Sequence, residues 1–253
     1  MLTRHDVKEL VIKAIPQLQE LKKTYSLLPK TICSRRVECC SMLPEISFLE
    51  ALSALNQLMY MEPGKRVYIS KKISRYFFLN PVEITLCPFL EKNDCIIYDN
   101  RFFACRAYGL WSKEYYEQIS ERSHDIKNQI RKLWGRMGIT LPQEVMDFQV
   151  PYCTNVKTEG SVNIDDKLIL QVEGNIKILS QQFPKEHHLF GQMYFSDFSF
   201  LFVSFIFGVD KAVSLKFFIV NDIVKTGNRA RLDDTMREIF DIFGEKIGGV
   251  YEE

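Results

Sequence analysis

The 253 residues, 46% apolar and 26% charged, suit a globular chain that buries a sizeable core without disulfide staples. Lys plus Arg (33) balances Asp plus Glu (32), and a formal net charge of +1 excludes a global attraction for nucleic acid or anionic lipid. The most apolar run, Phe198 to Val209, is twelve residues long, short of the roughly 20 that cross a bilayer, and with an N-terminus broken up by charge and proline it predicts a chain kept in the cytoplasm, off the membrane.

Residues 5 to 28 space Val7, Leu10, Val11, Ala14, Ile15, Leu18, Leu21, Tyr25 and Leu28 as one helical face. Pro16 should kink or split that helix and Pro29 end it, leaving "KTICSRRVECC" as a loop. Ser47 followed by Glu50 has the spacing of a capping box and predicts a helix that Pro63-Gly64 closes. Residues 65 to 80 mix strand-like alternation with helical spacing. Beyond Pro81 the chain reads as loops, with "CIIYD" extended.

A long helix is predicted from Lys113 to Met137, with Tyr116, Ile119, Ile126, Ile130, Leu133 and Trp134 as its apolar stripe and Gly135 and Gly138 at its end. Pro142 to Gly160 reads as a connector. The apolar run is buried, as helix or strand. The last helix places Leu232, Met236, Ile239, Phe240, Phe243 and Ile247 on one face before Gly248-Gly249. The expected fold is α+β: a predominantly helical cysteine-cluster domain (1–140) packed against a C-terminal region of helices with a few strands (141–253).

Seven cysteines stand at 33, 39, 40, 87, 95, 105 and 153. An odd count in a reducing compartment argues against a disulfide framework, whereas clustered intracellular cysteine points to metal. Thiolate is soft and anionic, and four of them satisfy tetrahedral zinc or a four-iron cluster. Cys33, Cys39, Cys40, Cys87, Cys95 and Cys105 are the candidate ligands. Six buried, unliganded thiols are the alternative reading.

Other groups offer less. Adjacent His187 and His188 on a strand would face opposite ways; His5 and His124 read as exposed, and Cys153 as a lone thiol. Asp233, Asp234 and Glu238 suit the start of a helix, and "VKTGNRAR" (224–231) reads as a turn. G-x-G-x-x-G, G-x-S-x-G and H-E-x-x-H do not occur in the sequence.

Cys87, Phe89, Leu90, Cys95, Ile97, Tyr98, Arg101, Cys105 and Arg106, preceded by the Cys39-Cys40 doublet, form a block that resembles the YkgJ-type cysteine-cluster family, a zinc- or iron-chelating domain. The likeness spans about residues 31 to 112. It departs from the family at Arg36, where a second cysteine is usual, at Val37 in place of glycine, and at Phe102 in place of proline. The resemblance implies an iron-sulfur cluster (4Fe-4S favoured) or zinc, used for electron transfer, metal handling or maturation of a protein partner. Arg36, Arg101 and Arg106, with Arg35 nearby, would then damp the charge of the site. Flagellin lysine methylases carry a similar cluster, so an S-adenosylmethionine-dependent methyltransferase is the alternative function; a purely structural metal is a third.

Overall fold

Pro16 divides the first helical stretch in two: α1 (Arg4–Lys13) and α2 (Ile15–Tyr25) meet at Ala14. The ring sits in the first turn of α2, where a backbone N–H has no intrahelical partner to lose. The computed structural model describes residues 4–33, 36–159 and 165–248. Arg35, Gly160 and Gly249, and the side chains of His5, Val7, Phe243 and Ile247, lie outside the described residues.

After α2 come β1 (Thr31–Cys33) and a 3-10 turn at Glu38–Cys40. The helix α3 (Phe48–Tyr60) begins with the capping box expected: Glu50 N donates to Ser47 Oγ at 3.3 Å and Ser47 N to Glu50 Oε2 at 2.9 Å. Pro63-Gly64 does not close α3 but opens α4 (Pro63–Leu79), with Glu62 accepting from Gly64 N and Lys65 N. Proline followed by small and charged residues marks a helix start as readily as a stop, and the segment is helix from 65 to 79, with Asn80 as its C-cap.

A two-stranded hairpin, β2 (Leu90–Glu91) and β3 (Asp94–Cys95), leads through a 3-10 turn at Tyr98–Asn100 to α5 (Phe103–Ala107). Then follow α6 (Lys113–Arg136), α7 (Gln143–Asp147), β4 (Val156–Thr158), α8 (Asp166–Ser180), α9 (Pro184–Tyr194), α10 (Phe198–Phe207), α11 (Val209–Thr226) and α12 (Ala230–Gly248). The fold is thus predominantly helical α+β. Its strands make two short antiparallel pairs: β2 with β3, and β1 with β4 in the register Thr31↔Thr158, Cys33↔Val156.

His187 and His188 lie on α9, a helix and not a strand, with His187 half-buried and His188 exposed. On α6 only Trp134 of the expected stripe is buried, while Ile126, Ile130 and Leu133 face outward. Gly227, in the left-handed conformation, ends α11 and makes "VKTGNRAR" the expected turn.

The apolar run is helix α10, buried from Phe198 to Ser204. Apolar on all sides, it needs neighbours all round, and it finds them on both sides of residue 140. Phe200 stacks on Phe77 of α4 at 5.4 Å, and Phe198 meets Phe89 at 5.8 Å and Phe102 at 6.3 Å. The cysteine block therefore rests on α10. Among the described residues no single helix is long and apolar enough to cross a membrane; α9 and α10 pass that test only as a pair bent by 92°.

Gly109 shows how closely the β1–β4 pair is applied to the block. It adopts φ +84°, and an added Cβ would stand 2.6 Å from Val156 Cγ2 and 3.2 Å from Cys153 Sγ. Gly109→Ala should cost about 2–4 kcal/mol, from left-handed strain and overpacking together, read as a shift in the urea midpoint.

Candidate metal centre

Five of the six candidate thiols are brought together by local structure that can be traced bond by bond. Cys39 and Cys40 sit in the 3-10 turn, with their sulfurs 3.8 Å apart. The Cys40 carbonyl accepts from Cys87 N at 2.7 Å, which joins the doublet to the start of the hairpin. Leu90 N returns to Cys87 O at 3.0 Å, and the register Leu90↔Cys95 folds Cys95 back alongside. From α4, the Lys72 ammonium donates to the Leu90 carbonyl and pins the hairpin.

Cys105 arrives on α5. The first N–H of that helix, from Phe103, donates at 2.5 Å to Glu50 Oε1, which also accepts from Tyr25 Oη at 2.8 Å. Arg106 folds back over the loop, donating from Nε to Arg101 O at 2.9 Å and from Nη2 to Asp99 O at 2.5 Å. Its guanidinium lies 4.2 Å from the Tyr25 ring centre. Arg101 lies over Tyr98 at 4.5 Å, and its buried Nε has no hydrogen-bond acceptor among the described residues.

Charge couples the five. Cys39 feels Arg101 and in turn raises Cys87, Cys95 and Cys105; Cys87 and Cys95 raise Cys105 as well. A hydrogen bond from the Cys40 thiol draws Cys39 down to about 7 against its burial, with help from Arg101. Cys40 keeps the proton and is pushed up, by that bond first and then by burial and the neighbouring charge. Burial pushes Cys87 up to about 12, with the Phe89 N–H and Lys72 opposing, and burial is the leading cause of the rise at Cys95 and Cys105. Without a bound cation, Cys39 is the first of the five to ionise and the other four hold their protons more tightly. A metal would displace the other protons, so its affinity rises with pH.

In reduced, metal-free protein at pH 7, Cys39 should therefore be alkylated first, with a rate rising through a midpoint near 7. Brief iodoacetamide treatment and peptide mass spectrometry would check it; equal labelling of Cys39 and Cys95 would refute it.

The remaining expected residues fall elsewhere. Cys33 is on β1, and its charge reaches Cys153, a free and buried thiol as expected. Arg36 is exposed; the cations acting on the five thiols are Arg101, Arg106 and Lys72. Lys72, Glu50 and Cys153 went unmarked as site residues in the sequence, although Glu50 was visible as a cap. Among the described residues no three His, Cys, Asp or Glu side chains are arranged to hold one ion. The five thiols are neighbours, not a closed shell.

Two of the three departures from the block that the sequence resembles, Val37 and Phe102, adopt the backbone conformation usual for the residue the block carries there. Val37, where the family has glycine, adopts φ 56°, ψ 17°, a left-handed conformation disfavoured for a β-branched side chain. Phe102, where the family has proline, adopts φ −62°, the value that ring imposes. Val37→Gly should therefore stabilise the protein by about 1 kcal/mol, the left-handed penalty less the added chain entropy of glycine, measurable by urea unfolding. No protein-family model, curated protein or solved structure matches the chain.

Proposed function

We propose that this chain is a metal-binding protein of the YkgJ cysteine-cluster type, holding an iron-sulfur cluster through thiolates drawn from Cys39, Cys40, Cys87, Cys95 and Cys105. The observation that carries the reading is the convergence of five thiols from the doublet turn, the hairpin and α5 beside one cationic loop. Thiol is the right donor for such a cluster. The unpartnered Arg101 Nε supplies a buried N–H where an anionic group would need a donor. The glycine-like Val37 and proline-like Phe102 conformations add to the reading, because they match the backbone of the motif and not merely its cysteines.

Bound there, the cluster would supply a one-electron couple whose potential depends on hydrogen bonds to sulfur and on burial. The protein's part is to shield and to compensate charge. Phe89 and Phe102 close the inner side in edge contact at 5.8 Å, and Arg101 and Arg106 offset negative charge. Cys39 and Cys95 are only half-buried, which suits exchange of electrons or metal with a partner protein better than a sealed staple.

One observation favours zinc as a second reading. The 3.8 Å between the Cys39 and Cys40 sulfurs matches the tetrahedron edge of roughly 3.8 Å that follows from a Zn–S bond of about 2.3 Å. Purification without oxygen, with elemental analysis and a visible spectrum, separates the two. Iron with acid-labile sulfide and broad visible absorption is the expected result; colourless protein with one zinc would establish the second reading. Protein holding neither, even after anaerobic reconstitution with each, would overturn both.

A further inference from the structure

The helix α6 is 24 residues long and lies on the outside of the molecule, packed chiefly against the five-residue α7. Its apolar positions recur as Ile119, Ile126, Ile130, Leu133 and Met137, an alternation of four and three after the first heptad step. The strip is covered near its start, where Ile119 packs on the core. From there on it is bare: Ile126 is 46% exposed, Ile130 37%, Leu133 55% and Met137 42%. At 100° per residue these four share an arc of about 60°, the narrow seam of a helix that pairs with another helix and not the broad face of one lying in a membrane surface.

The charges beside the seam indicate which helix. Between Ile126 and Met137 the sequence holds Lys127, Arg131, Lys132 and Arg136 and no acidic residue. Lys127 and Arg131 turn toward α7, to the Val145 and Phe148 carbonyls and to Asp147 at 2.6 Å. Lys132 and Arg136 stay exposed along the other edge, with Arg122 one turn before Ile126 on the same side, three cations against the single carboxylate of Asp125. A second copy is a poor occupant. Antiparallel pairing centred near Gln129 sets Arg122 of one copy against Arg136 of the other, and parallel pairing sets Arg122 against Lys127.

We infer that the Ile126–Met137 face of α6 is a docking strip for an amphipathic helix of another protein, one with apolar residues at heptad spacing and acidic residues flanking them. Buried apolar side chains would supply the attraction, and the acidic flank would select the partner and its orientation against Lys132 and Arg136. The strip is separate from the cysteine centre and does not depend on what that centre binds.

The probe is a three-heptad peptide with Leu at the seam and Glu at the flanks, labelled for fluorescence anisotropy, with a Lys-flanked twin. The Glu peptide should bind at least about tenfold more tightly than the twin, and added salt should narrow the gap. Leu133→Asp should abolish binding, whereas Lys132→Glu with Arg136→Glu should reverse the preference between peptides. All variants alter exposed positions and should keep the parent's circular dichroism and metal content. Equal binding of the two peptides, no binding of either, or binding untouched by Leu133→Asp would overturn the proposal. So would sedimentation showing a dimer that Leu133→Asp dissociates, which assigns the strip to a second copy. Recruitment to phosphatidylglycerol vesicles that the same variant abolishes would likewise overturn it, assigning the strip to lipid.

Discussion

Replacing Cys105 with Ser should cut the metal content of anaerobically purified protein several-fold and lower its stability by several kcal/mol, while Cys33→Ser leaves both near the parent values. Cys105 stands on α5 within the field of Cys87, Cys39 and Cys95, whereas Cys33 sits on β1 beside Cys153. Metal held by thiolates can contribute on the order of 10 kcal/mol to folding, as much as the whole net stability of an ordinary domain. The hairpin from Cys87 to Cys95 is two residues per strand and cannot stand alone; besides α10, Lys72 and the Cys87–Cys40 backbone bond, a shared cation would hold it to the doublet. Elemental analysis together with urea unfolding of parent, Cys105→Ser and Cys33→Ser would decide the matter. Unchanged metal in Cys105→Ser would remove that residue from the ligand set, and a loss in Cys33→Ser as large as in Cys105→Ser would return Cys33 to it. Chelation of the parent should reproduce the Cys105→Ser midpoint.

Local signals were legible and long-range placement was not. The capping box at Ser47 and Glu50 involves four consecutive residues, so its geometry follows from spacing alone. Pro16 and the Gly227 turn are local in the same way. Pro63-Gly64 failed because the same dipeptide suits a helix end and a helix beginning, and only the Glu62 cap decides between them. The α6 stripe shows the limit of periodicity: it establishes that Ile126, Ile130 and Leu133 share a face, but what that face meets depends on where the helix lies in the fold. Cys33 and Cys153 come together because β1 pairs with β4 across more than a hundred residues, a pairing that strands of three residues barely announce. Lys72 became a site residue for the same reason, through tertiary placement and not through any motif, whereas Arg101 was legible in the cysteine block itself.

Glu50→Ala should cost about 3–5 kcal/mol, because one buried carboxylate serves three partners. It is 4% exposed and accepts from Ser47 N, Tyr25 Oη and Phe103 N. Truncation leaves three donors from three segments without an acceptor, each costing about 1–3 kcal/mol, in part relieved by entering water. With a melting shift of about 2–4 °C per kcal/mol in a chain of this size, the midpoint should fall by roughly 10 °C. The damage should reach the proposed metal centre, since the Phe103 N–H that Glu50 receives begins the helix carrying Cys105. Burial, and then the charge and hydrogen bond of Glu50, hold the Tyr25 phenol well above its ordinary pKa. Removing the carboxylate while leaving the fold should therefore bring Tyr25 down, a change read from the difference between the phenolate ultraviolet titrations of parent and variant. A Glu50→Ala protein that melted within about 2 °C of the parent, a change worth no more than about 1 kcal/mol, with its Tyr25 titration unmoved, would show that this carboxylate holds neither the capping box nor α5. Glu50→Gln keeps an acceptor of the same shape but points an amide N–H at one of the three donors. It should fall between parent and Glu50→Ala in both stability and metal content, and that ordering separates loss of the acceptor from loss of side-chain volume.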